Sequence, residues 1–259
     1  INLSHVRGED YKKIVKQIQK WTNTPICPDT EGAQLRTGQI KNSTGSIILK
    51  KYSIVSFVTD SLNIYEKTQI PLNVKTPSKI LKIGDILKID FDSVVVQIIR
   101  SDEEKCEGRV LSPGSVKSNK GISCDRDFNL DAFSKKDYRV IEISKRLNQN
   151  IIFVSFCSSG KEIKELRTLY DYQITVISKI ESLKGLKKIN EICTESDAIL
   201  IDRGDLSRVV PIEKIPFAQS FIMEEAKKIK TPVYVATNLM ESMIENSKPT
   251  RAEVNDIVS

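Results

Sequence analysis

Two short stretches hold residues whose types and spacing suit metal-assisted phosphoryl chemistry. Ile177-Ser-Lys-Ile-Glu181 closes an apolar run, with Lys179 and Glu181 two residues apart. In extended backbone that spacing sends both side chains to the same side. Asp202-Arg-Gly-Asp-Leu206 closes the next apolar run and supplies Asp205 behind Gly204. Glycine there lets backbone approach closely. Two carboxylates on neighbouring strand ends suit Mg²⁺, a hard ion that keeps several waters and shares substrate oxygens. A lysine beside them acts as a point charge on a phosphoryl group. The competing reading is a Lys–Glu ion pair beside a surface turn. The Arg-Gly-Asp tripeptide has an adhesion reading too, weakened because it abuts a buried strand.

Elements that could position these groups recur along the second half. Ile151–Phe156, Ile174–Ile180, Ala198–Ile201 and Pro232–Ala236 are short continuous apolar runs. Buried strands of a parallel sheet have this form. Charged segments with helical period separate them: Gly160–Tyr170, Leu183–Thr194 and Lys214–Lys230. In the last, Ile215, Ala218, Ile222, Ala226 and Ile229 recur at steps of three or four and mark one apolar face. Ser134-Lys-Lys-Asp137 and Thr250-Arg-Ala-Glu253 read as capping boxes. Near the start, Asn2–His5 ends a strand, Asp10–Trp21 forms a helix and Thr24–Asp29 a strand in the same rhythm. Strand alternating with helix predicts an α/β fold with a parallel sheet. Strand ends at the carboxyl face are where β/α barrels carry catalytic groups.

The rhythm breaks from about Gln39 to Arg126, a stretch rich in Ser, Thr, Val and Ile with Gly and Pro punctuation. Ser46–Val58, Asp85–Ile89 and Ser93–Arg100 read as strands. The expectation is a TIM-type (β/α) barrel domain over 1–38 and 127–259, with a small β domain inserted over 39–126. About six βα units are countable where a closed barrel has eight strands, so the barrel reads as incomplete at both ends.

Composition narrows the function classes. The 259 residues include 40 Lys+Arg and 34 Asp+Glu, for a net charge of +6. Lysines are scattered beside acids, which reads as a solvated surface and not a nucleic-acid patch. Cys27, Cys106, Cys124, Cys157 and Cys193 are odd in number and widely spaced, without CxxC, against a disulfide framework or structural zinc. With only one histidine, His5, neither a His-rich metal site nor a His-based triad is expected. No apolar run reaches the roughly 18 residues of a membrane span. The expectation is a reduced, soluble, cytoplasmic protein without membrane partners.

In order, ISKIE, SDAILIDRGDL, VYVATNLMESM and KPTRAEVNDI, preceded by NLSH at Asn2–His5 and DTEGAQLRTG at Asp29–Gly38, resemble pyruvate kinase. The resemblance covers nearly the whole chain. It implies a barrel with a mobile β lid and transfer of the phosphoryl group of phosphoenolpyruvate to ADP, giving pyruvate and ATP. It implies Mg²⁺ (or Mn²⁺) held by Glu181 and Asp205, and Lys179 on the phosphoryl group in flight. Arg36 would clamp the substrate phosphate. Gly204, Asp205 and Thr237 would seat the carboxylate end. Asn2, Ser4, Asp29 and Thr30 match K⁺ ligands, and His5 and Lys120 match the nucleotide side. A homo-oligomer, tetrameric in the family, is implied for the full-length protein.

The residues taken singly leave other readings open. Asp29 also suits a turn at a strand end, Arg36 a surface ion pair, and Thr237 the N-cap of a helix over Asn238–Met243. Lys120 suits a solvated loop and His5 a packing role. The sequence also departs from the family pattern. Asp202 stands for Ala, Ser207 for Gly and Ser182 for Asn. Glu31, Ala33 and Gln34 depart in the DTEGAQLRTG stretch. Ser155-Phe-Cys-Ser158 lacks an Arg, and Asp90-Phe-Asp92 and Ile122-Ser-Cys-Asp125 differ from lid motifs. Two alternatives follow: a metal-dependent pyruvate-enolate lyase, and a non-catalytic relative binding phosphoenolpyruvate or another small anion.

Overall fold

The computed structural model describes residues 1–60, 68–91, 93–103, 105–237 and 239–258. Asp92 and Asn238 therefore lie outside the described residues. The chain forms two compact units, Ile1–Ala33 with Asp131–Ser259, and Gln34–Leu130.

The first unit opens differently from the sequence expectation. Leu3–His5 is a single 3-10 turn, capped by Asn2 Oδ1 accepting from the Ser4 N–H at 2.8 Å. Helix α1, Tyr11–Ile18, follows. Thr24–Asp29 is not a strand. Only Asp29 pairs, forming isolated parallel bridges with Asn2 and Phe153. Pro25 and Pro28 remove two backbone donors from this stretch, so pairing is confined to its end, where the Cys27, Pro28 and Asp29 carbonyls accept from the Ile1, Phe153 and Leu3 N–H groups.

Among the described residues the second unit is built from eight strands and a short helix. They are β1 Ser46–Leu49, β2 Ile54–Thr59, β3 Gln69–Leu72, α2 Pro77–Ile80, β4 Ile86–Ile89, β5 Val94–Ser101, β6 Cys106–Ser112, β7 Gly114–Lys117 and β8 Ile122–Ser123. Six form one sheet in the order β3-β2-β6-β5-β4-β8, and β1 pairs with β7. The expected single strand Ser46–Val58 is two strands. Between them Tyr52 turns at φ 65° and the Ser53 N–H donates to the Lys50 carbonyl. Alternating inward residues such as Val94, Val96 and Ile98 fill this unit's own core.

The first unit resumes with α3 Lys135–Arg146, β9 Ile151–Val154, α4 Gly160–Thr168, β10 Thr175–Ile180, α5 Leu183–Lys187, α6 Ile189–Glu195, β11 Ala198–Asp202, α7 Arg203–Leu206, α8 Ile215–Ile229, β12 Val233–Ala236 and α9 Arg251–Val258. Strands β12-β11-β10-β9 make a parallel sheet in that order, and Asp29 adds one bridge beyond β9. Ile152, Val154, Val176, Ile180, Ile199 and Ile201 are buried against Ile163, Leu166, Ile192 and Ile222 from the helices. The periodic face of α8 packs as its spacing requires, with Ile215, Ile222 and Ala226 buried and Ala218 and Ile229 against the same core. The expected helix Leu183–Thr194 breaks at Lys188, which joins α5 to α6. Beyond β12, Glu241–Ile244 is a 3-10 turn, in place of the expected helix over Asn238–Met243. All five cysteines are free thiols. Among the described residues no helix is long and apolar enough to cross a membrane.

Both capping boxes form. Thr250 and Glu253 bond reciprocally at the start of α9. At α3 the Asp137 carboxylate accepts from the Ser134 N–H at 2.8 Å, the Glu31 N–H at 2.8 Å and the Gly32 N–H at 3.3 Å. A capping residue thus also clasps the loop that follows Asp29. Burial raises the Asp137 pKa, with those N–H donors opposing the rise. Asp137→Ala removes a cap and leaves buried donors without acceptors, so we expect a loss of about 3 kcal/mol. Chemical denaturation with a shifted midpoint and unchanged slope would show it.

Candidate functional site

Strand register brings the two chemistry-bearing stretches together. Lys179 lies opposite Leu200 in the β10–β11 ladder, and Asp202 is the last residue of β11. Both runs are apolar because both faces of their strands are covered, so polar groups appear where the strands end. Glu181 follows β10 directly, and Asp205 sits in the one-turn helix α7.

Lys179 Nζ lies 3.0 Å from Glu181 Oε1, 3.4 Å from Asp29 Oδ2, 3.6 Å from Asp202 Oδ2 and 3.3 Å from Ser155 Oγ. Its side chain is only 8% exposed and that of Glu181 is fully buried. Glu181 Oε2 accepts from the Phe156 N–H at 2.7 Å. Its Oε1 faces the Lys179 ammonium. Ser155 Oγ donates to Asp29 Oδ1 at 2.9 Å, and the Ser155 N–H donates to Thr30 Oγ1 at 3.0 Å. Asp29 is therefore a member of the lysine's carboxylate ring, beyond its place at a turn.

On the far side of the lysine, Asp202 Oδ1 accepts from Thr237 Oγ1 at 2.7 Å. Thr237 holds φ 77°, a region β-branched residues rarely adopt. Its carbonyl accepts from Arg203 Nη2 at 2.6 Å, which fixes that backbone. The N-cap reading of Thr237 is corrected: its hydroxyl serves Asp202, not a helix end. A Cβ at Gly204 would lie 3.0 Å from the Thr237 methyl, so glycine lets α7 press on this residue. Asp205 Oδ1 pairs with Arg208 Nε at 2.7 Å.

Ligand oxygens of Glu181, Asp202 and Asp205 lie within 4.8 Å of one another. Four carboxylates, those of Asp29, Glu181, Asp202 and Asp205, face the two fixed cations Lys179 and Arg208. The formal excess of two negative charges matches one divalent cation. Electrostatics agree. Burial drives the Glu181 pKa up and Asp205 and Asp202 add to the rise, against the pull of Lys179. For Lys179, burial favours loss of the proton, but Glu181, Asp29 and Asp202 outweigh it and the pKa is raised. Both shifts have one origin, too much negative charge in little water. A hard cation with oxygen ligands fits this donor set.

The remaining expected residues fall into two groups. Asn2, Ser4, Asp29 and Thr30 are neighbours in the first unit, where Asn2 bridges Asp29 and both Asp29 and Thr30 bond Ser155. Asn2 Oδ1 is engaged by the Ser4 N–H. His5 is exposed in the same unit. Arg36 and Lys120 belong to the other unit. There Arg36 Nη1 reaches the Asn119 carbonyl at 3.5 Å, and Lys120 pairs with Asp90 at 3.1 Å. Lys120 is thus ion-paired, not merely solvated.

Sequence reasoning missed three participants. Asp202 was visible only as a charge added to a familiar signature, though it ends an apolar run as Glu181 does. Ser155 lay in a stretch noted for a missing arginine. Arg208 carried no signal, since its i,i+3 pairing with Asp205 depends on the turn that follows the one-turn helix α7.

The family model described as "Pyruvate kinase, barrel domain" matches residues 1–259. A pyruvate kinase of Trypanoplasma borreli is 29% identical over 268 residues, covering 99% of this chain and 53% of that protein. One from Leishmania mexicana is 29% identical, covering 100% of this chain and 54% of that protein. One from Thermotoga maritima is 30% identical, covering 100% and 57%. The chain spans about half the length of the curated relatives it matches. A match across every residue, over a parallel sheet whose strand ends gather a lysine and four carboxylates, places the chain in the pyruvate kinase barrel-domain family.

Proposed function

We propose that the native protein transfers the phosphoryl group of phosphoenolpyruvate to ADP, yielding pyruvate and ATP. One observation carries this reading: a nearly buried ammonium, Lys179, stands among acids whose excess charge calls for a divalent cation. A structural ion pair would need one acid for one base. Phosphoryl transfer needs little covalent help from the protein and much positioning and charge neutralisation.

In this reading Glu181 and Asp205 would hold Mg²⁺ or Mn²⁺, which would supply charge neutralisation to phosphoryl oxygens. Lys179 places a fixed positive charge against the transferring group and makes no covalent bond to it. Ser155 and Asp29 hold the ammonium in position. The N–H groups of Gly204 and Asp205, with Thr237, seat the substrate carboxylate. Arg36 clamps the phosphate, and the Gln34–Leu130 unit serves as a lid carrying Lys120 toward nucleotide, with His5 on the nucleotide side. Asn2, Ser4, Asp29 and Thr30 supply oxygens for K⁺. Cytoplasmic residence and a homo-oligomeric assembly belong to the same reading.

The test is ADP-dependent pyruvate formation by the native protein with saturating Mg²⁺ and K⁺. We expect turnover that stops on chelation. Absence of turnover in a folded protein that still binds the cation would refute it. Nucleotide-independent release of pyruvate from a hydroxy-keto acid would instead favour the lyase.

A further inference from the structure

We propose that Asp202 is a third carboxylate ligand of the divalent cation, so that this chain's own side chains hold the ion more tightly than two carboxylates would. The inference rests on the cation site proposed above and concerns which residues hold the ion.

Three observations support it. Asp202 ends β11 beside the strand end that presents Glu181, and its ligand oxygen lies within 4.8 Å of those of Glu181 and Asp205. Glu181 Oε1, on a fully buried side chain, has the Lys179 ammonium at 3.0 Å, and that ammonium is shared with Asp29 and Asp202. Asp202 itself is half committed. Its Oδ1 serves Thr237 Oγ1 at 2.7 Å and the Asp205 N–H at 3.4 Å. Its Oδ2 faces the Lys179 ammonium at 3.6 Å, too long for a good hydrogen bond. The Thr237 hydroxyl thus fixes the carboxylate and leaves one oxygen for a ligand role.

The number of carboxylates sets how firmly the protein alone holds the ion. Mg²⁺ is usually held by one or two carboxylates and completed by substrate phosphate, whereas affinity rises with ligand charge. With three carboxylates the protein supplies more of the coordination itself. The same added charge opposes the incoming anion, so a bound cation removes a repulsion the substrate would otherwise meet.

Titration of the chelator-stripped protein with Mn²⁺ alone, followed by the free-ion EPR signal, tests this without substrate or turnover. The unaltered protein should bind one Mn²⁺. Asp202→Asn keeps an oxygen for Thr237 but loses the charge, and should weaken binding at least about tenfold, the scale on which even outer partners of metal ligands act. Glu181→Gln should weaken it also. In chelator, Asp202→Asn should melt no lower than the parent, since a crowded negative charge is gone, and its Mn²⁺-induced rise should shrink. Asp202→Ala replaces it if the amide disturbs folding. Unchanged Mn²⁺ affinity in Asp202→Asn overturns the proposal, as does a parent that binds no Mn²⁺ or a variant that melts lower in chelator with unaltered affinity. The kinase reading fails separately, if Mn²⁺ binds but no pyruvate forms.

Discussion

Lys179→Met should reduce ADP-dependent pyruvate formation by about a hundredfold to a thousandfold, the loss seen when one preorganised charge-stabilising group is removed. Methionine keeps the length of the stem and deletes the ammonium that lies 3.0–3.6 Å from three carboxylates. The substitution also leaves Glu181 buried without its counter-charge, and breaking a buried pair by removing one partner costs about 3–5 kcal/mol. Lost turnover could then reflect lost fold. Lys179→Met combined with Glu181→Gln separates the two, because removing both charges relieves most of that penalty. We expect the double variant to regain much of the melting temperature and none of the turnover. Turnover within threefold of the parent in folded Lys179→Met would show that the lysine is a structural counter-ion only. Steady-state kinetics alongside thermal melts decide it.

The second large effect is structural. Gly32→Ala should lower the melting temperature by about 4–20 °C, or abolish soluble expression. Gly32 sits at φ +66°, and a Cβ there would lie 2.1 Å from the Ser155 carbonyl oxygen and 2.7 Å from its carbon. Both obstacles are backbone, so no side chain can swing aside. A left-handed non-glycine residue costs about 1–2 kcal/mol, and overpacking typically adds about 1–3 kcal/mol. At roughly 2–4 °C per kcal/mol for a domain of this size, the fall is easily read. Ser155 bonds Asp29 and lies beside Lys179, so a surviving variant should also lose turnover. A melt within 2 °C of the parent would show that the loop yields freely.

Much of this was legible in the sequence, and the failures have identifiable causes. Continuous apolar runs gave β9 through β12 because strands covered on both faces need no alternation. The two-residue spacing of Lys179 and Glu181 translated directly into a 3.0 Å contact. Capping boxes are local, so Ser134/Asp137 and Thr250/Glu253 could be read from four residues each. Thr24–Asp29 misled because its residue types suit a strand while two prolines remove donors and confine pairing to its end. Lys188 breaks a helix through its backbone conformation, φ −113° and ψ 21°, which no residue type announces. The role of Asp202 depends on cross-strand register, and register is set by long-range pairing. Ser155 and Asp29 lie 126 positions apart, beyond any local pattern.

The clasp at Asp137 has a mechanical corollary. Glu31 and Gly32 hang by their amides from the first turn of α3, two and three residues downstream of the Asp29 carboxylate that faces Lys179. The short tether leaves little slack. One carboxylate therefore sets together the start of α3 and the placement of an acid beside the ammonium.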